Sequence, residues 1–104
     1  MRKITPSEFS GAKAWEALSI ERFSSPSTVR LHWTDEPYKW HVNDGPEVFV
    51  VLDGEVNMHT RSENGIAILP LKVGDIFHAR AGDEHVAHPV GVARVLVIEV
   101  EGSV

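Results

Sequence analysis

The sequence predicts an all-β domain, a β-barrel or sandwich of short strands preceded by a short N-terminal helical segment. After the first twenty residues, about eight or nine short apolar runs alternate with turn signals at regular spacing, which is the pattern of sandwiches and barrels. In several runs the apolar side chains occupy alternate positions, as they do on a half-buried strand. Because 104 residues hold one hydrophobic core, we expect a single domain over residues 1–104.

Residues 1–20 form an N-terminal extension in this prediction. Pro6, Ser7 and Glu8 are typical of a helix start, with Ser7 as the capping residue. The apolar side of this helix would consist of Ala12, Ala14, Trp15, Ala17 and Leu18. Since a helix this short is unstable alone, we expect it to lie across a sheet edge or to pack on a partner.

The strands after this extension are bounded by turn residues. The predicted strands cover residues 28–34, 38–42, 47–52, 55–61, 66–73, 76–80, 85–88 and 93–101. Turn clusters lie at Ser24–Ser27, Ser62–Gly65 and Pro89–Gly91, and Asp53-Gly54 is a two-residue hairpin signal. Pro70 cannot donate a ladder hydrogen bond, so it marks an edge strand or a bulge.

Two of the predicted strands are apolar on both faces. In strand 47–52, apolar residues occupy both the odd and the even positions, and strand 93–101 is similar. A strand that is apolar on both faces needs cover on both sides of the sheet. In a chain this small, a second copy of the chain is a natural source of that cover, so we predict a homodimer.

Composition argues against several classes of function. The formal net charge is −5 and no stretch is basic, which argues against nucleic acid as a partner. The chain has no cysteine, so it has no disulfide framework, thiolate metal site or thiol nucleophile. No apolar run reaches membrane-spanning length, and residues 1–6 lack the apolar stretch of a signal peptide. We therefore expect a cytoplasmic protein without a membrane partner.

Two histidines and one glutamate lie at the ends of predicted strands, with glycines at fixed offsets around them. His41 and Glu47 stand on either side of the turn Asn43–Pro46, and His85 follows Gly82 by three positions. Two imidazoles and a carboxylate at strand ends can meet as a facial triad on one metal ion. This set is therefore the candidate metal site.

These two segments resemble the two signature motifs of the cupin superfamily. The first family motif ends in H-x-H, three or four residues, E, six residues and G, and its positions fall on His41, Asn43, Glu47 and Gly54. The second is G, five residues, P-x-G, two residues, H, three residues and N, and its positions fall on Gly74, Arg80, Gly82, His85 and Pro89. Arg80 and Pro89 replace the family's proline and asparagine. The resemblance spans residues 38–101 and is closest to small single-domain cupins of unassigned function.

The resemblance implies a jelly-roll barrel, a divalent metal in the barrel mouth and a homodimer, but no particular substrate. It implies that His41, Glu47 and His85 are the metal ligands. The chain departs from the family at Asn43, where the motif has a ligand histidine. Asn43 is then a weak ligand through its carbonyl oxygen, a holder of a water molecule beside the metal, or a turn residue.

The ligand set limits the metal to a group rather than to one element. Imidazole and carboxylate ligands suit Fe(II), Mn(II), Ni(II), Zn(II) or Cu(II), and all five stay open at this point. Three protein ligands leave coordination positions for water or for a bidentate substrate. The predicted cofactor is therefore one divalent transition metal.

Residues beside the predicted metal site are candidates for a substrate pocket. They are Arg30, His32, Tyr38, Trp40 and Phe49. Arg30 and His32 share one face of strand 28–34, where they either bind an anionic substrate in the interior or form a solvated face. Tyr38 and Trp40 are candidates for the pocket mouth. The remaining histidines are expected at the surface: His59, His78 and His88.

Three functions stay open from the sequence. The first is a metal-dependent enzyme on a small organic molecule, with dioxygenase, isomerase or lyase chemistry. In that case Tyr38, His32 or a metal-bound hydroxide would have to serve as the general base. The second is a non-catalytic module that binds a metabolite or senses a metal, since no long loop is available as a lid. The third is a metal-free structural dimer.

Overall fold

The computed structural model describes residues 2, 4–24 and 27–103, and most of these residues lie in β-strands. The strands are β1 (Glu16–Arg22), β2 (Ser27–Thr34), β3 (His41–Val42), β4 (Glu47–Ser62), β5 (Gly65–Leu71), β6 (Ile76–Ala79) and β7 (Glu84–Val100). A 3₁₀ turn, Pro6–Glu8, precedes them. No helix in these ranges is long and apolar enough to cross a membrane. The predicted all-β class is confirmed.

The strands form one antiparallel sheet with the order β1-β2-β7-β4-β5. β3 adds to β7 and β6 adds to β4, both off this path. β1 and β5 end the path in the described part of the chain, so the sheet is not closed into a barrel. The predicted jelly-roll β-barrel or sandwich is confirmed as a jelly-roll β architecture, with a sheet that is not a closed barrel over these residues.

β4 and β7 each run through two layers of the fold, so the sheet encloses an interior between these layers. Residues 47–51 of β4 pair with 95–99 of β7, beside β2 and β6. Residues 55–61 of β4 pair with 84–90 of β7, beside β3 and β5. The buried core takes side chains from both layers: Phe49, Val51, Val56, Met58, Ala87 and Val95.

The change of layer in β4 occurs at Asp53-Gly54, where the sequence predicted a hairpin. That prediction is wrong, because β4 continues through the dipeptide and its pairing with β7 shifts register on both sides of Asp53. Gly54 has a φ of +78°, and a β-carbon there would overlap the carbonyl oxygen of Val92. The dipeptide therefore forms a bulge that bends the strand. The turn predicted at Pro89–Gly91 likewise lies inside β7.

The N-terminal helix is also corrected by the structure. Only Pro6–Glu8 is helical, as one 3₁₀ turn, and its cap is Thr5, without a side-chain hydrogen bond, rather than Ser7. Ala17 and Leu18 belong instead to β1, where they pair with β2. Pairing along β2 satisfies the backbone of this segment better than a short isolated helix can. The segment thus covers a sheet edge as a strand.

Several smaller boundaries can be compared with the prediction. The turn at Ser62–Gly65 is confirmed as the hairpin between β4 and β5, and Pro70 lies in β5, an edge strand of the sheet path. The strand predicted over residues 38–42 is reduced to the two residues of β3. The predicted turn cluster before β2 includes Ser25 and Pro26, which lie outside the described residues.

Candidate metal centre

The three predicted metal ligands come from the starts of three strands. His41 begins β3, Glu47 begins β4 and His85 is the second residue of β7. β3 pairs with β7 so that His41 lies opposite His85, while Glu47 belongs to the other layer. The two layers bring one ligand atom of each residue within 4.8 Å of the others. This geometry fits three ligands of one metal ion.

Glu47 and His85 are almost completely buried. Only 7 % of Glu47 and 2 % of His85 is exposed, and His85 Nε2 lies 3.0 Å from Glu47 Oε1. Burial alone would raise the pKa of the Glu47 carboxyl. Hydrogen bonds from His85 and Asn43, with the charges of His85 and His41, outweigh burial and hold that pKa below its usual value. Glu47 is therefore a carboxylate, the form that binds a metal.

His41 is the half-buried member of the triad. Its Nδ1 lies 3.0 Å from the carbonyl oxygen of Lys39, which can only accept a hydrogen bond. The proton of a neutral His41 ring therefore sits on Nδ1, and Nε2 keeps the lone pair that a metal ligand needs. The ring of Tyr38 packs edge-on against His41, with centroids 5.3 Å apart.

Asn43 connects two of the ligands directly. Its Oδ1 accepts a hydrogen bond from His85 Nε2 at 2.8 Å, and its Nδ2 donates to Glu47 Oε1 at 3.4 Å. Its backbone is fixed by 2.8 Å hydrogen bonds with Asp83 and Gly82. The side chain is buried, with 8 % of the residue exposed. Asn43 is therefore part of the site, beyond the turn role that the sequence allowed.

A cavity of about 200 Å³ adjoins the triad. Its walls include all three triad residues and four of the five predicted pocket residues: Arg30, His32, Tyr38 and Phe49. Trp40, the fifth, lies elsewhere, with its ring under the guanidinium of Arg61 at 4.2 Å. Residues 38–40 precede β3 and lie outside any strand, so Tyr38 and Trp40 need not share a face as they would in the predicted strand 38–42.

A partly buried ion pair lies in the cavity wall beside Glu47. Arg30 Nη2 donates to Glu99 Oε1 at 2.6 Å, and only 9 % of the Glu99 side chain is exposed. Glu99 pairs in register with Glu47 on the neighbouring strand. Burial and the charge of Glu47 raise the pKa of Glu99, although the hydrogen bond from Arg30 opposes them. The cavity thus holds two carboxylates on adjacent strands.

Trp15 closes another side of the cavity in an uncommon backbone conformation. Its φ is +63°, which is a strained value for a bulky side chain. Its carbonyl oxygen accepts a hydrogen bond from His32 Nδ1 at 3.1 Å, and its ring packs edge-on against Tyr38. Burial lowers the pKa of His32, so this imidazole is neutral at neutral pH, with its proton on Nδ1.

Comparison with known proteins decides the fold. No protein-family model and no curated protein matches this sequence, but solved structures do. A cupin-2 domain protein from Shewanella frigidimarina is 22 % identical, with a TM-score of 0.76 over 91 % of this chain and 87 % of that chain. A cupin superfamily protein from Desulfitobacterium hafniense is 17 % identical, with a TM-score of 0.73 over 92 % and 86 %. The chain has the fold of a small cupin domain.

A third similar structure is an Fe(II) form of HppE in complex with a substrate. It is 18 % identical to this chain, with a TM-score of 0.69 over 81 % of this chain and 53 % of that chain. Similarity at this level concerns the fold. The cupin fold that the two sequence motifs implied is thereby confirmed.

Sequence reasoning missed five residues that line this cavity. They are Trp15, Ala87, Val97, Glu99 and Ser103. Glu99 carried a usable signal, since it is a lone carboxylate on the strand face that also presents Val95 and Val97. Trp15 carried none, because its place depends on a strained turn before β1. Ser103 follows the last strand and hydrogen-bonds Asp44, a contact that sequence spacing does not indicate.

Proposed function

We propose that this cupin domain binds one divalent transition metal through His41, Glu47 and His85 and acts on a small organic molecule in the adjoining cavity. The observation that carries the proposal is the approach of one donor atom of each residue within 4.8 Å, beside that cavity. A bound metal would supply Lewis-acid or oxygen-activating chemistry. Fe(II) is the favoured metal among Fe, Mn, Ni, Zn and Cu, because two histidines and one carboxylate suit it.

The surrounding residues support metal binding through orientation and charge. The carbonyl of Lys39 keeps Nε2 of His41 free of a proton, and Nδ2 of Asn43 donates a hydrogen bond that helps to hold the carboxylate of Glu47 in place. Orientation of ligands by such neighbours contributes about 10- to 100-fold to metal affinity in proteins. His32 is the residue best placed to accept a proton from a bound molecule, since its Nδ1 proton is fixed by Trp15.

Metal content tests this proposal. Untagged protein purified without chelator would be measured by plasma mass spectrometry beside His41→Ala and His85→Ala. We expect about one metal per subunit in the parent and loss in both variants. His78→Ala is the matched control, because His78 is exposed and outside the triad. A parent that holds no metal and takes up none of the five offered ions would overturn the proposal.

A second candidate function is a metal-free binding module. It is favoured by Asn43, which joins His85 Nε2 and Glu47 Oε1 by hydrogen bonds without a metal ion. In this case small molecules would raise the melting temperature and added metal would not. Asn43→Ala separates the two functions: it should destabilise a metal-free network, whereas a metal-loaded site would keep its three ligands.

We also propose that a second copy of the chain covers the outer face of the layer formed by β2, β4, β6 and β7. Ile76 is 65 % exposed and Ile98 36 % exposed. Register pairing places Val50 beside Ile76 and Val48 beside Ile98, so these side chains form a continuous apolar strip. Ile76→Glu should convert a dimer into a monomer in analytical ultracentrifugation. A monomeric parent would contradict this proposal.

A further inference from the structure

The cavity beside the triad combines the proposed metal site with a partly buried ion pair. Its charged wall residues are Arg30, Glu47 and Glu99. We propose, on the basis of the proposed metal site, that the metal-loaded pocket selects small organic monoanions such as short monocarboxylates. We propose further that the Arg30–Glu99 pair sets this preference.

Arg30 is already paired with a carboxylate in this structure, although its buried Nε has no hydrogen-bond partner among the described residues. Its Nη2 donates a hydrogen bond to Glu99 Oε1 at 2.6 Å, and only 9 % of the Glu99 side chain is exposed. A charge-assisted hydrogen bond of this length is among the stronger polar contacts in proteins. The charge of the arginine is therefore balanced by Glu99 inside the wall, and the pair as a whole adds no net charge to the cavity.

The remaining titratable groups of the wall add no charge at neutral pH. His41 and His85 are neutral when they bind a metal, because a ligand nitrogen cannot keep its proton. His32 is neutral because its pKa is lowered by burial. The phenol of Tyr38 is neutral because the ordinary pKa of tyrosine, about 10, lies well above neutral pH. Only the metal, Arg30 and the two carboxylates enter the charge balance.

That balance leaves one unit of positive charge. A divalent metal and Arg30 contribute three positive units, and Glu47 and Glu99 contribute two negative units. A ligand with a single negative charge cancels the excess when it occupies an open metal position. A neutral ligand leaves the pocket positive, and a dianion places a surplus negative charge near Glu47 and Glu99, both unfavourable in a partly buried site.

The size and the walls of the cavity restrict the ligand further. About 200 Å³ is below the range of roughly 300–1,000 Å³ that holds drug-sized ligands, so the molecule has only a few carbon atoms. Phe49, Ala87 and Val97 give the cavity an apolar side, which suits a short carbon chain. A small monocarboxylate, bound to the metal by its carboxylate, meets both requirements.

Isothermal titration of the Zn(II)-loaded protein tests this inference. Zinc is suitable because it has no redox chemistry of its own. The probes are lactate, lactamide and tartronate, which are a monoanion, its neutral analogue and a related dianion. We expect lactate to bind at least about tenfold more tightly than either of the others, the effect of one charge in a partly screened pocket.

Four variants assign the preference to the ion pair. Glu99→Gln adds one positive unit, so it should shift the preference towards tartronate by about tenfold. Arg30→Gln removes one positive unit, so lactate should no longer bind more tightly than lactamide. The double variant Arg30→Gln/Glu99→Gln has the parent's net charge and should again prefer lactate. Should Arg30→Gln not fold, Arg30→Lys keeps the charge and should keep the preference. Glu101→Gln is the control, because it breaks an exposed pair with Arg22 and should change nothing.

Zinc content, measured before and after each titration, separates the two proposals. Protein that fails to retain zinc overturns the metal site and this inference with it. Protein that retains zinc but fails to bind lactate, or binds all three probes equally, overturns the inference alone. An unchanged preference in Glu99→Gln also overturns it, because the ion pair would then have no part in the selection.

Discussion

Gly54→Ala should destabilise this domain far more than the same change at another glycine of similar backbone conformation. A β-carbon at position 54 would lie well inside 3.0 Å of the Val92 carbonyl oxygen and 3.1 Å from Ala93 Cα. The left-handed φ of +78° costs about 1–2 kcal/mol for a residue with a β-carbon. Overlap with a backbone that cannot move away adds about 1–3 kcal/mol. We therefore expect a total loss of about 2–5 kcal/mol.

Gly91→Ala is the matched control for this prediction. Gly91 has a φ of +69° and nothing within 4 Å of the place where a β-carbon would lie. Both variants lose the same flexibility of the unfolded chain, so that contribution cancels in the comparison. Gly91→Ala should cost only the backbone strain, about 1–2 kcal/mol.

Thermal and urea unfolding, followed by circular dichroism, measure the difference. A loss of 1 kcal/mol lowers the melting temperature of a domain of this size by about 4–8 °C. Gly54→Ala should therefore melt at least about 4 °C below Gly91→Ala, with an unchanged urea slope. Equal losses in the two variants would refute the reasoning, since contact between β4 and β7 at the bulge would then carry no cost.

Three further predictions follow from single residues. Glu47→Gln should make the free energy of unfolding depend less on pH in acid. The lowered pKa of Glu47 stabilises the fold above the usual glutamate pKa of 4.5, and this stabilisation is lost as the pH falls through the lowered value. Urea unfolding at several pH values would detect the difference. Met58→Ala should cost about 2–5 kcal/mol because Met58 is 0 % exposed, whereas Ile66→Ala, at a position 62 % exposed, should cost under about 0.5 kcal/mol by the same assay. Asn43→His should raise zinc affinity at least about tenfold in a chelator competition, because it adds a third imidazole beside His85 and Glu47; unchanged affinity would exclude position 43 from the metal site.

The triad was predictable because its information is local. His41 and Glu47 are six positions apart across one turn, and His85 follows its own glycine-containing turn, so short sequence windows contain the whole pattern. Glu99 was not predictable in the same way. Its place in the cavity depends on its register with Glu47, and that pairing joins residues far apart in the sequence.

The errors in the fold have the same origin. Asp53-Gly54 provides a left-handed glycine, which serves a hairpin turn and a strand bulge equally well. Only the pairing of β4 with the whole of β7 selects the bulge, and this pairing is not visible in a short window. Residues 16–22 became a strand for a related reason, since β2 offers them a hydrogen-bonding edge. The secondary structure of an apolar segment next to an open sheet edge is decided by the neighbouring strand rather than by the segment's own propensity.

The two-residue length of β3 has a consequence for how the domain opens. Residues 38–45 are attached through this short pairing and through backbone bonds of Tyr38 to Ala87 and of Asn43 to Asp83 and Gly82. Few backbone hydrogen bonds must therefore break for the segment to detach. Amide hydrogens there should exchange with solvent through a local excursion well below the cost of global unfolding. A metal ion bound by both His41 and His85 would cross-link this segment to β7. Slower amide exchange at Val42 and Asn43 would then report that the metal site is occupied.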